Sequence, residues 1–286
     1  LKLATVLHNG TAVVARIDEA GETATVLASP SGHPFSSVAD FIAGSDAAED
    51  REGQPLPLAN VTLLSPIPRP GRNIFCVGKN YADHARELAS SIFKDDVPHY
   101  PIVFSKVPET VIGPGAAIMI DPDVSTDIDY EAELAVIIGK EGKGISEDRA
   151  LAHVWGYTIV NDITARDLQQ RHGQWHLGKS QDTFCPMGPW AVTADEVDLN
   201  DTGVRTFVNG EPRQNGNTRD LIFNLPKLIA TISNGITLKP GDIIATGTPA
   251  GVGAGFTPPR FLKDGDIVRV EIDGIGVLEN PVRSVR

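Results

Sequence analysis

Tyr130-Glu131-Ala132-Glu133-Leu134-Ala135-Val136-Ile137-Ile138 is the stretch on which the reading of this chain turns. Strand side chains alternate between faces, so Glu131 and Glu133 share one face while Ala132 and Leu134 take the other. Two carboxylates held that close repel each other unless positive charge sits between them. Asp162 ends the next apolar stretch, Trp155-Gly-Tyr-Thr-Ile-Val160, and would close a triangle of oxygen donors suited to Mg²⁺ or Mn²⁺. Alternating acidic residues on an edge strand more often simply face water. The apolar run Ala135–Ile138 weighs against that here, because carboxylates joined to buried strands are costly to leave unpaired. A calcium loop of the EF-hand type starts well, with Asp121, Asp123 and Ser125 in its first, third and fifth positions. It fails where Thr126 replaces the glycine and Ala132 the closing glutamate.

The chain has 286 residues, 41% of them hydrophobic and 22% charged, enough for a large core in one domain plus an appendage or in two domains. A net charge of −12 with no basic run argues against non-specific nucleic-acid binding, although an anionic substrate could still meet a local patch of Arg, Lys and metal. Two cysteines, Cys76 and Cys185, are too few for a disulfide framework and read as small buried hydrophobes in a reducing compartment. Neither a signal peptide nor an apolar stretch of membrane-spanning length is seen, which places the protein in the cytoplasm.

Leu3–Leu7 and Ala12–Ile17 flank Asn9-Gly10, a strong hairpin signal, and open a small β-rich domain at 1–70. Ser65-Pro66-Ile67-Pro68-Arg69-Pro70-Gly71 breaks any helix and sets the boundary before a second domain at 71–286. Strands are expected at 73–78, 102–105, 132–138, 155–160, 190–193, 204–208, 243–246 and 267–272. Helices are expected at 80–89, 164–172 and 219–234. Strands outnumber helices without regular βαβ alternation, so the expected class is α+β, mainly β and mainly antiparallel, with helices on the flank.

Within Asn80-Tyr-Ala-Asp-His84-Ala-Arg-Glu87, a helix opening at an Asn cap places His84 and Glu87 on one face. A carboxylate that bonds a histidine fixes its tautomer, which is how a general base is built; the same spacing also describes an ordinary surface pair. A helix starting near Asp162 would carry Arg166 and Gln169 on one face, suited to a substrate carboxylate or ketone; a capped helix with a solvated stripe fits equally. Lys179 lies between predicted elements, where a lysine beside a metal can stabilise an enolate and most lysines are merely solvated. Ile243-Ile-Ala-Thr-Gly-Thr248-Pro-Ala-Gly-Val-Gly253 runs into a glycine-rich turn that is no Walker loop. Its amides and the Thr248 hydroxyl could contact a carboxylate, or could form a turn without a ligand.

Together, Val77–His84, Tyr130–Ala135, Asn161–Asp167, Gly178–Ser180 and Thr246–Gly253, in this order, resemble the fumarylacetoacetate hydrolase family from about Gly71 to the C-terminus. The resemblance implies a β-roll-like catalytic domain, usually homodimeric, with Mg²⁺ or Mn²⁺ on Glu131, Glu133 and Asp162. It also implies a His84/Glu87 dyad and substrate contacts from Arg166, Gln169, Lys179 and Thr248. The short-range dyad resembles the smaller branch of acylpyruvases, oxaloacetate decarboxylases and 2-hydroxyhepta-2,4-diene-1,7-dioate isomerases. The expected reaction is hydrolytic cleavage of a carbon–carbon bond in an acylpyruvate-type 2,4-dioxo acid. His84 would activate water, and the metal and Lys179 would stabilise the pyruvate enolate. Oxaloacetate decarboxylation and dienoate isomerisation are the alternatives, ahead of a non-catalytic 2-oxo-acid-binding protein. Residues 1–70 match no catalytic motif, and residues 90–101 give no substrate assignment.

Overall fold

The computed structural model describes residues 1–44, 51–89 and 98–285. Most of residues 90–101 therefore lies outside the described residues. The fold is mainly β, organised by one large sheet whose central strand is Ala132–Ile138. Along the sheet the order is Arg51–Pro57, Thr23–Ala28, Thr11–Asp18, Lys2–His8, Cys185–Thr193, Val154–Asn161, Ala132–Ile138, Ile243–Ala245, Ile74–Gly78 and Ile102–Lys106. Neighbours run antiparallel along this path except Ile243–Ala245 and Ile74–Gly78, which are parallel. A five-stranded sheet, ordered Glu211–Asn217, Gly203–Val208, Ile267–Ile272, Gly276–Ser284 and Ile118–Ile120, lies against it.

Every residue of Ala132–Ile138 is buried, and the alternation expected from the sequence sorts them into two cores. Leu134, Val136 and Ile138 pack with Ile159, Trp190 and Val192 on one face. Ala135 and Ile137 pack with Val160, Met187 and Ile243 on the other. Glu133 shares the parity of Ala135 and Ile137, so the acidic residues continue the second face beyond its apolar part.

The N-terminal hairpin forms as the Asn-Gly signal predicts: Asn9 (φ 50°) and Gly10 (φ 77°) both take the left-handed turn that matches strand twist. The boundary expected at 65–71 falls between strands that join one sheet, since Lys2 and Leu3 pair with Val192 and Ala191. Ala4 and Val6 belong to the same core as Leu134 and Val136.

The helix expected at 219–234 begins later, at Leu225–Ser233, with Asn224 accepting the Lys227 N–H as its cap and Pro226 in the first turn. The residues before it are held otherwise: Ile222 N donates to Asn80 O at 2.8 Å and Phe223 N to Asn80 Oδ1 at 2.8 Å. Asn80 is consequently a buried tie, also donating to Phe223 O and Thr246 O, and its helix runs Ala82–Ala89. Arg51–Pro57 was not anticipated as a strand. It is the sheet edge, where Pro55 and Pro57 cost no central ladder bond.

Candidate active site

Register brings the three acidic residues together. Ala132 lies opposite Asn161, so Asp162, one residue beyond, comes beside Glu131, and its N–H donates to Glu131 O at 2.8 Å. Carboxylate oxygens of Glu131, Glu133 and Asp162 lie within 4.8 Å of one another, and all three side chains are buried.

Buried cations hold two of the three. Lys179 Nζ donates to Glu131 Oε2 at 2.8 Å and to Asp162 Oδ2 at 2.7 Å. Lys106 Nζ, with no exposure at all, donates to Asp162 Oδ1 at 2.6 Å, to Ile163 O at 3.0 Å and to Lys179 O. Arg166 Nε donates to Asp129 Oδ2 at 2.9 Å and Nη1 to Gln169 Oε1 at 3.1 Å. Arg166 Nη2 stands 2.7 Å from Glu131 Oε1, an ion pair too poorly aligned to be a hydrogen bond.

Charge balance separates the carboxylates. Burial opposes ionisation of Glu131, but Lys179 and Arg166 outweigh it and hold the group well below the usual carboxylate range. For Glu133, burial and then the charges of Asp162 and Glu131 push the carboxyl well above that range. It accepts the Gly247 N–H at 2.8 Å and has no ion pair among the described residues. Burial lowers and then Asp162 and Glu131 raise the Lys179 ammonium, with a net upward shift, so this lysine stays a cation and is no base. Three oxygen donors on one side of a pocket, one lacking a cationic partner, could hold a divalent metal ion, and the donor set is the hard-oxygen type that Mg²⁺ or Mn²⁺ takes.

Asp162 does not start a helix, as the i+4 and i+7 spacing suggested. Thr164–Ala165 first pairs with Ile128–Asp129, Arg166 N donates to Asp127 O, and the helix is Arg166–Arg171. Arg166 and Gln169 still line the same pocket as Glu131, Glu133, His84, Lys179 and Thr248. Arg166, however, is engaged with Asp129, Glu131 and Gln169, so it orients Glu131 as much as it offers a surface to substrate.

His84, buried, bonds through Nδ1 to Glu87 Oε1 at 2.8 Å, and Glu87 Oε2 accepts the Gly251 N–H at 2.9 Å. With both Glu87 oxygens accepting, the network assigns the proton to Nδ1 and leaves Nε2 as the acceptor. Gln214 Nε2 donates to Thr248 Oγ1 at 2.7 Å, while its Oε1 accepts from Ala132 N at 3.1 Å. The Thr248 hydroxyl is thereby left to donate its own proton.

Asp129, Lys106 and Gln214 were not anticipated. Asp129 had a signal, since it extends the alternation of Glu131 and Glu133 by one step. Lys106 follows the apolar Ile102–Ser105 but reads as a solvated strand end, and Gln214 lies in a polar strand of the other sheet.

The model of the fumarylacetoacetate (FAA) hydrolase C-terminal family matches residues 73–283, nearly three quarters of the chain and all of the site. The chain belongs to the fumarylacetoacetate hydrolase family. Among its family relatives, oxaloacetate tautomerase YisK of Bacillus subtilis is 54% identical over 226 residues, 79% of this chain and 74% of that protein. A mitochondrial oxaloacetate tautomerase of Xenopus laevis is 46% identical over 239 residues, 82% of this chain and 73% of that one. The fumarylacetoacetate hydrolase structure from Exiguobacterium antarcticum is 40% identical and covers 99% of both chains with a TM-score of 0.82. A 2-hydroxyhepta-2,4-diene-1,7-dioate isomerase from Mycobacterium marinum matches with TM-score 0.78 at 35% identity, covering 100% of this chain and 99% of the other. The protein is thus an enzyme of the fumarylacetoacetate hydrolase fold, and no helix among its described residues is long and apolar enough to cross a membrane.

Proposed function

We propose that this enzyme interconverts the keto and enol forms of oxaloacetate or a closely related 2-oxo dicarboxylic acid in a Mg²⁺- or Mn²⁺-dependent reaction. The observation that carries the reading is the buried His84–Glu87 pair in the same pocket as three convergent carboxylates. The names of the similar proteins supply the substrate class. A divalent cation on Glu131, Glu133 and Asp162 would draw electron density from the carboxylate and keto oxygen of a 2-oxo acid and so acidify the adjacent carbon. His84 Nε2 takes a proton from C3; the C–H pair becomes the C2–C3 double bond and the former carbonyl pair moves to oxygen, which takes a proton back from the imidazolium, directly or through water, and so restores the base. Glu87 keeps Nδ1 protonated and steadies the imidazolium while His84 holds the transferred proton. Lys179, a fixed ammonium, stabilises negative charge developing beside Glu131 and Asp162. Thr248 and the Gln169 amide nitrogen donate to substrate oxygens and set its orientation.

A second reading has support in the same dyad. A histidine buried against a carboxylate can equally deprotonate water, which would cleave an acylpyruvate to pyruvate and a second acid. Ultraviolet absorbance of enol-oxaloacetate, followed after dissolving the crystalline enol acid with Mg²⁺, Mn²⁺ or EDTA, tests the proposal against it. Metal-dependent acceleration of the enol decay that His84→Ala removes, without pyruvate formed, is the expected result. Unaltered decay with metal-dependent release of pyruvate from acetylpyruvate would replace tautomerisation by hydrolysis. Pyruvate from oxaloacetate would instead indicate decarboxylation. The homodimer implied by the family resemblance belongs to this reading and is checked by light scattering.

A further inference from the structure

The glycine-rich segment 247–255 turns four of its backbone N–H groups on the enzyme's own carboxylates. Gly247 N donates to Glu133 at 2.8 Å, Gly251 N to Glu87 Oε2 at 2.9 Å, and Gly253 N and Ala254 N to the two oxygens of Asp129 at 2.6 and 3.0 Å. Asp129 in turn holds Arg166 Nε. One turn of chain therefore fixes a metal-ligand candidate, the dyad acid and the anchor of Arg166 together.

Its closest approach to the His84–Glu87 dyad is at Gly255. A Cβ added there would lie 2.3 Å from Glu87 Oε2, 2.8 Å from Cδ and 3.3 Å from Cγ. Gly255 has no left-handed φ, so its backbone does not itself demand glycine; the three atoms nearest an added Cβ all belong to the Glu87 side chain. Gly251 differs, for its φ of 103° and a Cβ position 2.1 Å from Arg213 O exclude any side chain on backbone grounds.

We infer that Gly255 is a positioning residue of the proposed reaction, whose missing side chain leaves the space in which Glu87 orients His84. The inference rests on the dyad reading given above. Because the obstructed atom is the end of a flexible side chain, Gly255→Ala is accommodated by rotation of Glu87 and not by unfolding. The rotated carboxylate gives up His84 Nδ1 and the Gly251 N–H, and the imidazole loses its fixed tautomer.

The test combines turnover, a double-mutant cycle and NMR of the enzyme. Gly255→Ala is expected to lower kcat about 100-fold, the scale of a 1 Å misplacement, with KM and Mn²⁺ affinity changed by no more than about twofold. In the Glu87→Ala background the same substitution has nothing left to displace and should add no further loss. A purely structural glycine would instead lower kcat equally in both backgrounds. The bonded His84 Nδ1–H resonance expected of the wild type should vanish in Gly255→Ala, as it should in Glu87→Ala. Wild-type-like kcat, an undiminished effect in the Glu87→Ala background, or survival of that resonance would overturn the inference. Loss of the resonance in an enzyme inactive towards every 2-oxo acid would uphold the positioning role and sink the proposed reaction instead.

Discussion

Exchanging Glu133 for glutamine or Asp162 for asparagine removes one carboxyl group from the same cluster, yet the two variants should behave oppositely without metal. Asp162 bridges two buried ammonium groups, Lys106 at 2.6 Å and Lys179 at 2.7 Å. Removing one partner of a buried ion pair costs about 3–5 kcal/mol because the other charge stays buried. At about 2 °C per kcal/mol for a chain of this length, Asp162→Asn in EDTA should melt roughly 6–10 °C below wild type. Glu133 has no ion pair to lose, and burial with two neighbouring carboxylates already disfavours its charge. Glutamine keeps an acceptor for the Gly247 N–H, so Glu133→Gln should melt at or above the wild-type temperature. Added Mn²⁺ reverses the comparison. At a hundred times its Kd it should stabilise wild type by about 2.7 kcal/mol and should stabilise neither variant comparably. Differential scanning calorimetry in EDTA and in Mn²⁺ reads all of these numbers. A Glu133→Gln protein that melts as low as Asp162→Asn in EDTA, or that keeps the full Mn²⁺ shift, would refute the charge balance drawn for this cluster.

The same balance sets a pH dependence for the metal-free protein. Glu133 binds its proton more tightly folded than unfolded, so its contribution to stability falls as pH rises from the unfolded value, about 4.3, through its raised folded value. Glu131 has the opposite sign: its contribution is present above the unfolded value and is lost as pH falls towards its depressed folded value. Melting curves in EDTA from pH 4 to 8 should show the Glu133 decline, and both Mn²⁺ and Glu133→Gln should flatten it. In the sheet, a Cβ at Gly156 would lie 1.9 Å from Val192 O, backbone that cannot rotate away. Gly156→Ala should therefore prise apart the Val154–Asn161 and Cys185–Thr193 pairing and leave little soluble protein, in contrast to Gly255→Ala, as expression and circular dichroism would show.

Local patterns that carry their own geometry were legible in the sequence. The alternation at 131–138, the Asn-Gly hairpin and the i, i+3 spacing of His84 and Glu87 each fix relative directions within a few residues, and the strand at 267–272 was placed at its bounds. Asp162 was found because it ends an apolar run, although the helix invoked to align it with Arg166 starts only at Arg166. What escaped depends on partners far away in the chain. Lys106 is buried only because Asp162, Ile163 and the Lys179 carbonyl converge on it. Asn80 looked like a helix cap because nothing near it announces Phe223 or Thr246. Residues 51–57 lacked a strand pattern because an edge strand needs neither a continuous apolar face nor freedom from proline.

The pairing of residues 2–3 with residues 191–192 has a consequence for how the chain is made. The N-terminal hairpin can close within microseconds of leaving the ribosome. The strand that covers its Lys2–Leu3 edge, Cys185–Thr193, lies about two thirds of the way along the chain and follows roughly ten to forty seconds later at ordinary rates of synthesis. Throughout that interval the Lys2–Leu3 edge offers unpaired N–H and C=O groups to any extended segment nearby, its own sisters on the same polysome included. Glu131, Glu133 and Asp162 all leave the ribosome within that interval, so the candidate metal ligands are made while the Lys2–Leu3 edge still waits for its cover.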